Sequence, residues 1–451
     1  MFQTMKNAWK IPELKNKLLF TFLIIILYRL GANIPVPYVG VAGSLSTTGT
    51  ILDFVNTLSG GAFAQATLFA LGVSPYITAS IVIQLLSVAI PYFERLAKDG
   101  QEGQKILSRW TRGCTVVLAI VTAIGYVFLL SNNGMLVSEL NFFMGTVLVA
   151  CFCAGTCLVM WLGEKINEFG IGNGISMILF ANIIASFPSL LFQLKNFFLP
   201  YTSSSTLETK FVPWGIPVAI FVFALMLAMI VGIIWITDSE RRIPINYAKR
   251  VVGRKQYGGS SQNLPIKLNM TGVMPIIFAN AIVTIPATIL AFIPNNENTS
   301  AKLSYASSLI DALIGQKTWL YVLVFFLLII AFAYFYVMIS FNPIEVSNNI
   351  QQQGGQIRGI RPGHETVEHI SKILNRVTLL GALFICAIAC IPNAIYILLG
   401  YIPGDYQFQD YFAPYAFLGS SIIIVVGVAL ETVRELEAQM SLRNYDKGFL
   451  G

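Results

Sequence analysis

Charge is what this sequence has least of. Only 11% of its 451 residues are Asp, Glu, Lys or Arg, against about a quarter in a soluble domain, and so little polar surface cannot enclose a chain in water. Histidine is nearly missing as well. The two present, His364 and His369, sit in a charged loop, and no Gly-x-Ser-x-Gly elbow, phosphate loop or His-Glu-x-x-His helix accompanies them. The common hydrolytic, phosphoryl-transfer and zinc chemistries are thereby excluded, and the chain does not read as an enzyme. The six cysteines (Cys114, Cys151, Cys153, Cys157, Cys386 and Cys390) all fall in or beside apolar stretches that carry neither histidine nor carboxylate. They read as small packing residues, with no metal site and no cofactor implied.

What is abundant is hydrophobic residues, at 55%. At about 20 residues per membrane crossing, the apolar runs fall at 18–36, 73–92, 114–132, 143–163, 174–194, 213–237, 271–293, 319–341, 377–397 and 412–430. This predicts an all-α integral membrane protein of ten spans. The short alternating strands of an outer-membrane barrel are missing. The first run follows Lys15 and Lys17 as a secretory signal would, but it continues through Arg29 to Pro35 and Pro37 without a small-residue cleavage site, so it is read as span one. Of the 29 lysines and arginines, only Arg29, Lys195, Lys210, Lys302 and Lys317 lie outside one set of alternate loops and the two ends. Positive charge stays inside, which predicts cytoplasmic termini and two large basic cytoplasmic loops, 238–268 and 342–376.

An internal repeat organises these spans. Gly72-Val73-Ser74-Pro75-Tyr76-Ile77-Thr78-Ala79 matches Gly272-Val273-Met274-Pro275-Ile276-Ile277-Phe278-Ala279 at Gly, Val, Pro, Ile and Ala. With five spans from one copy to the next, the two run oppositely through the bilayer. That is an inverted repeat, the layout of proteins that open a path across membranes. It divides the chain into an N-terminal half, 1–200, holding spans one to five, and a C-terminal half, 201–451, holding spans six to ten.

Apart from Arg29, no span carries a charge near its middle. Ion-coupled pumps usually need one, so the path reads as passive, with energy supplied from elsewhere. In place of charge there are branched aliphatics: Val73 and Ile77 on span two, Leu179 and Ile183 on span five, Ile277 on span seven and Ile424 on span ten. Spacing alone allows two readings, an ordinary packing face or a hydrophobic constriction that excludes water and ions. The segment 50–70 is also open to two. It is moderately apolar, is broken at Gly60-Gly61 and is too polar to span, so it is either an external loop with a helical turn or a re-entrant half-helix, tolerated only where protein or water surrounds its backbone. The basic loops set topology. Seven positive charges between 238 and 268 also make a landing site for RNA or acidic protein, and Arg361 before Pro362-Gly363 sits on a predicted tight turn.

Several separate motifs carry a resemblance over essentially the whole chain. Trp161-Leu162-Gly163-Glu164-Lys165-Ile166, Gly170-Ile171-Gly172-Asn173-Gly174-Ile175-Ser176, Asn246-Tyr247-Ala248-Lys249-Arg250, Gly359-Ile360-Arg361-Pro362-Gly363 and the tail after Ile422 together resemble the SecY family, channel subunits of the bacterial Sec protein translocase. The resemblance implies ten helices in two inverted halves, hinged like a clamshell around a central pore. It implies a ring made of Val73, Ile77, Leu179, Ile183, Ile277 and Ile424, and a plug at about 51–65 that includes Asp53, Phe54, Asn56, Gly60 and Gly61. Thr78 and Ile285 would face each other across a lateral gate between spans two and seven. Arg250, Arg254, Lys255 and Arg361 would dock the ribosome and a SecA motor ATPase. The implied partners are SecE- and SecG-type small membrane subunits, signal sequences, nascent polypeptides and lipid, and the implied place is the bacterial cytoplasmic membrane. Val73 and Leu179 depart from the family's preference for isoleucine in the ring, and Leu418-Gly419-Ser420-Ser421 departs from its paired glycines. Two rivals remain, a solute transporter, for which the spans offer only scattered polar groups such as Asn182, Asn280 and Thr284, and a pore-less insertion scaffold.

Overall fold

The computed structural model describes residues 6, 8–40, 45, 51–138, 140–198, 201–202, 209–210, 215–247, 250–252, 255–257, 261–292, 318–401 and 412–449. Ten helices occupy the ten apolar runs: span 1 Pro12–Gly31, span 2 Ser74–Ala89, span 3 Gly100–Asn132, span 4 Phe142–Phe169, span 5 Gly174–Phe198, span 6 Gly215–Asp238, span 7 Met274–Phe292, span 8 Trp319–Ser340, span 9 His364–Leu399 and span 10 Leu418–Phe449. By length and composition alone, seven of the described helices qualify to cross a membrane, or eight with span 2 and its continuation. Span 1 falls short because Lys15, Lys17 and Arg29 interrupt its apolar stretch, and the apolar part of span 7, Met274–Pro286, is short. Chains of Phe, Leu, Ile and Val lie exposed along the bundle exterior, among them Phe22, Val121, Val231 and Leu327. In water such a surface would aggregate, and against lipid it is at home.

Proline sets several boundaries. Pro12, Pro75 and Pro91 stand in the first turns of their helices, where the missing N–H would be unpaired anyway. Pro91 also stops span 2. The chain bends by 101° there, into the amphipathic helix Pro91–Lys98, because proline forces the preceding residue out of helical geometry.

The repeat is visible in local structure. Gly72 and Gly272 both take left-handed backbone, at φ +53° and +62°, a region that side chains other than glycine's rarely allow. After each, a valine carbonyl accepts the first helical hydrogen bond, from Ile77 to Val73 at 3.0 Å and from Ile277 to Val273 at 3.3 Å. The two sequences match because they make the same turn into a helix. At Leu418-Gly419-Ser420-Ser421 the departure costs no packing: Gly419 lies against the Ile388 carbonyl, and both serines are buried.

Close approach constrains span 4 as well. A methyl group at Gly155 would stand 2.0 Å from the Leu68 backbone carbonyl, and neither helix nor loop can yield cheaply. Gly155→Ala is expected to destabilise the detergent-solubilised protein by roughly 1–3 kcal/mol, as overpacking does. Thermal denaturation followed by tryptophan fluorescence reads this, and an unchanged midpoint would show that the loop is free to shift.

The basic loops hold structure that hydropathy does not reveal. Strand Glu240–Tyr247 pairs antiparallel with Ser261–Lys267 along one edge, from Glu240 opposite Lys267 to Asn246 opposite Ser261, and with Gly355–Ile357 along the other. Ile243, Ile245, Ile266 and Ile357 point into one small core with Val337, Ile350, Ile370 and Leu374. Arg250–Val252 and Lys255–Tyr257 form a second, two-stranded hairpin, and Tyr201–Thr202 pairs with Thr209–Lys210 on the opposite side of the chain's topology. The membrane-embedded part remains helical throughout the described residues.

Candidate functional site

Val73, Ile77, Leu179, Ile183, Ile277 and Ile424 are all buried, none more than 7% exposed, within one extended core cluster that draws on both halves of the chain; four of them, Ile77, Leu179, Ile277 and Ile424, line one or both of two cavities beside it. Three of the four helices concerned begin at an identifiable signal: the left-handed glycines precede spans 2 and 7, and the Asn173 side chain, which accepts from the Ile175 and Ser176 amides, starts span 5.

Two cavities flank this cluster. One of about 140 Å³ is lined by Tyr76, Ser80, Gln84, Asn167, Asn173 and Ser176 together with Ile77, Leu179 and Ile277. The other, about 30 Å³, is lined by Phe54, Val55, Leu58, Ser74, Thr78, Ala281 and Thr284 together with Ile77, Ile277 and Ile424. Ile77 and Ile277 line both and so form the partition between them. The first space has mixed walls, with Ile175, Met274 and Phe278 beside its polar groups, and opens beside the turn joining spans 4 and 5, on the predicted cytoplasmic side, and the second is mostly aliphatic. No charged side chain lines either. A water needs two or more polar partners to be held, and the partition offers none, so an ion would cross it only by shedding its hydration.

The segment 51–65 folds into the smaller space. Ile51–Leu58 is an eight-residue helix whose Phe54, 1% exposed, packs against Phe417 with ring centroids 5.4 Å apart. Left-handed Gly60 and Gly61, at φ +67° and +91°, then reverse the chain. Asn56 fastens the reversal: its side-chain oxygen accepts from the Ala64 amide at 2.9 Å. The Asp53 carbonyl accepts from Thr57, and Ser59 Oγ accepts from the Phe63 amide. Of the two earlier readings, this is the half-helix, seated against the buried cluster.

Thr78 lines the smaller cavity opposite Ala281 and Thr284 of span 7, its hydroxyl donating to the Ser74 carbonyl. Ile285 does not line that cavity, and it is 38% exposed. Arg250 and Lys255 lie on the two-stranded hairpin, at the positions facing Tyr257 and Val252, while Arg254 falls outside the described residues. Arg361 is exposed in a turn framed by Gly359 and Gly363, both left-handed. Its amide donates to Glu365 Oε2 at 3.4 Å, and its carbonyl accepts from Thr366 at 2.9 Å.

Sequence reasoning missed two contributors. Phe417 carries no motif, and its tilted ring contact with Phe54 follows only from the tertiary fold. Asn182 was weighed only as a polar group for a transporter, yet it is fully buried and hydrogen-bonded to the half-helix. Asn280 and Asn393 also place amide atoms in buried positions without a partner among the described residues. No group of three His, Cys, Asp or Glu side chains able to hold a metal occurs among the described residues.

Residues 67–433 match the SecY family model. The protein translocase subunit SecY of Streptomyces coelicolor is 40% identical over 465 residues, spanning 100% of both chains. That of Thermotoga maritima is 40% identical over 463 residues, spanning 100% of this chain and 98% of its own. Among solved structures, one described as a protein conducting channel superposes with a TM-score of 0.65 at 18% identity, covering 94% of this chain and 92% of that one. Sec61 in a canine ribosome–channel complex from the endoplasmic reticulum superposes at 0.62, also at 18% identity and with the same coverage. At such identity these two structures share the fold.

Proposed function

This chain belongs to the SecY family of protein translocase subunits, and from that premise we propose how its own residues serve as a protein-conducting channel. It is a multi-pass membrane channel subunit and not an enzyme. The proposed path runs from the larger cavity, through the partition at Ile77 and Ile277, into the space filled by residues 51–65. Val73, Ile77, Leu179, Ile183, Ile277 and Ile424 form its waist, and the half-helix with Asp53, Phe54, Asn56, Gly60 and Gly61 is its plug. The observation that carries this reading is that two aliphatic side chains, one from each copy of the repeat, separate two cavities at the middle of the bundle.

The physics suits the task. Branched aliphatic side chains give ions no ligand, yet they rotate and part around an extended polypeptide, so leak and passage are decoupled. Spans 2 and 7 pack directly on one another, and their parting would open the lateral gate beside Thr78, Ala281 and Thr284, with Ile285 nearer its outer lip. An apolar segment leaving sideways gains about 0.3–0.6 kcal/mol for each central Leu, Ile, Phe or Val, enough over a whole span to favour exit into lipid. The two halves, 1–200 and 201–451, would move as the clamshell's jaws. A solute carrier would need a substrate pocket between the repeats, and the two spaces there, about 140 and 30 Å³, carry no charged side chain to hold or couple a solute.

Energy would come from docked partners, a SecA-type motor or a ribosome, at Arg250, Arg254, Lys255 and Arg361, with SecE- and SecG-type subunits alongside, in the bacterial cytoplasmic membrane with both termini cytoplasmic. Reconstitution tests this. Vesicles holding the chain with its small subunits, given a SecA-type ATPase, ATP and a secretory precursor, are expected to protect the precursor from added protease. If no precursor is protected where a known channel protects it, the reading is wrong.

A further inference from the structure

Arg29, which the structure places in the last turn of span 1 and not near its middle, and Asn182, a fully buried amide next to Ile183, both end on the same object, the C-terminus of the half-helix. Asn182 Nδ2 donates to the Leu58 carbonyl at 2.7 Å and to the Tyr28 hydroxyl at 2.8 Å. Arg29 Nη1 reaches the Gly60 carbonyl at 3.4 Å and Asn182 Oδ1 at 3.5 Å. We propose that Tyr28, Arg29 and Asn182 form a polar latch that holds the plug shut, and that Asn182 couples it to the waist. The proposal rests on residues 51–65 being the plug.

Accounting for the helix end shows why these partners are needed. The last four carbonyls of a helix have no intrahelical donor. Here the Ser59, Gly61 and Gly60 amides serve those of Val55, Asn56 and Thr57, and Asn182 serves the fourth, that of Leu58. A guanidinium next to this end also meets the negative pole of the helix dipole. Glycine at position 60 is part of the fit, because a methyl group there would stand 2.3 Å from Arg29 Nη1 and 2.9 Å from Asn182 Oδ1, besides straining a left-handed backbone.

The latch is state-dependent by its chemistry. In the dry, closed channel, plug departure leaves the Leu58 and Gly60 carbonyls, the Asn182 amide and the Arg29 guanidinium short of partners at membrane depth, which is unfavourable. Once a polypeptide brings water with it, solvent replaces every one of those bonds and departure becomes easy. Asn182 directly precedes Ile183 of the waist, so a chain that displaces Ile183 turns the same stretch of span 5 and moves the latch amide. Widening the waist and freeing the plug thereby become one event.

The test uses the full chain, purified with its small membrane subunits and fused into planar bilayers at fixed potential. Asn182→Ala and Gly60→Ala, which break the latch from opposite sides, are each expected to raise resting conductance roughly tenfold, the scale of one lost buried hydrogen bond. Combined, they should rise no further than the larger single effect. Ser186→Ala, which removes a hydroxyl one turn along span 5 that bonds the Asn182 carbonyl, should leave conductance unchanged. A generally loosened bundle would instead give additive effects and a leak with Ser186→Ala as well. If the channel lacking 51–65 leaks while both latch variants stay sealed, the latch is overturned and the plug stands. If that deletion does not leak either, both ideas fail together. Should Asn182→Ala not assemble, Tyr28→Phe decides the matter: a resting conductance several-fold above the parent supports the latch, and parental conductance overturns it.

Discussion

Removal of residues 51–65 is expected to raise the resting ion conductance of the reconstituted channel by roughly a hundredfold or more. Without them the smaller cavity loses Phe54, Val55 and Leu58 from its lining, and the seal thins to the partition made by Ile77 and Ile277. Truncating a buried Phe typically costs about 3–5 kcal/mol, and each ~1.4 kcal/mol is a factor of ten in an equilibrium. Loss of the buried Phe54 side chain alone therefore shifts the closed–open balance by roughly two to four powers of ten. Single-channel recordings should show long openings at rest where the intact protein is silent. A pore-less scaffold makes the contrary prediction, because nothing in it is being stoppered, and a silent deletion would favour it.

Arg361→Glu is expected to lower motor-driven translocation about a hundredfold while leaving the resting seal and thermal stability as they were. The side chain is exposed on a turn fixed by Gly359 and Gly363, with backbone bonds to Glu365 and Thr366, so reversing its charge disturbs no packing. A charge buried in a docked interface is worth about 2–5 kcal/mol when its partner loses it, and reversal adds repulsion. Arg361→Lys should recover only part, since an ammonium cannot reproduce a two-pronged guanidinium contact. Rates of ATP-dependent precursor protection in vesicles measure this. Equal rates for Arg361→Glu and the parent would remove Arg361 from the docking surface.

Much of the architecture was legible because the bilayer imposes few solutions. A run of about 20 apolar residues must be a helix, and all ten runs are. The repeat was legible because Gly72 and Gly272 perform the same left-handed turn. Strand Glu240–Tyr247 was not, although Ile243 and Ile245 alternate with exposed neighbours, because Pro244 and the arginines around it read as loop chemistry. The aliphatic waist was ambiguous for a different reason. Periodicity distinguishes a helix face but not what that face meets, and only tertiary packing brings spans 2, 7 and 10 to one cavity and spans 2, 5 and 7 to another. The bond from Asn182 to Leu58 joins residues 124 apart in sequence, and no local pattern encodes such a pairing.

Strand Glu240–Tyr247 carries one last implication. It grips its own hairpin partner on one side and Gly355–Ile357 on the other, and these segments lead directly into spans 6, 7, 8 and 9. The two basic loops thus share a single stiff handle instead of hanging as separate tethers. Whatever leans on one of them tugs the feet of four helices at once, so that a push on either loop is felt by both.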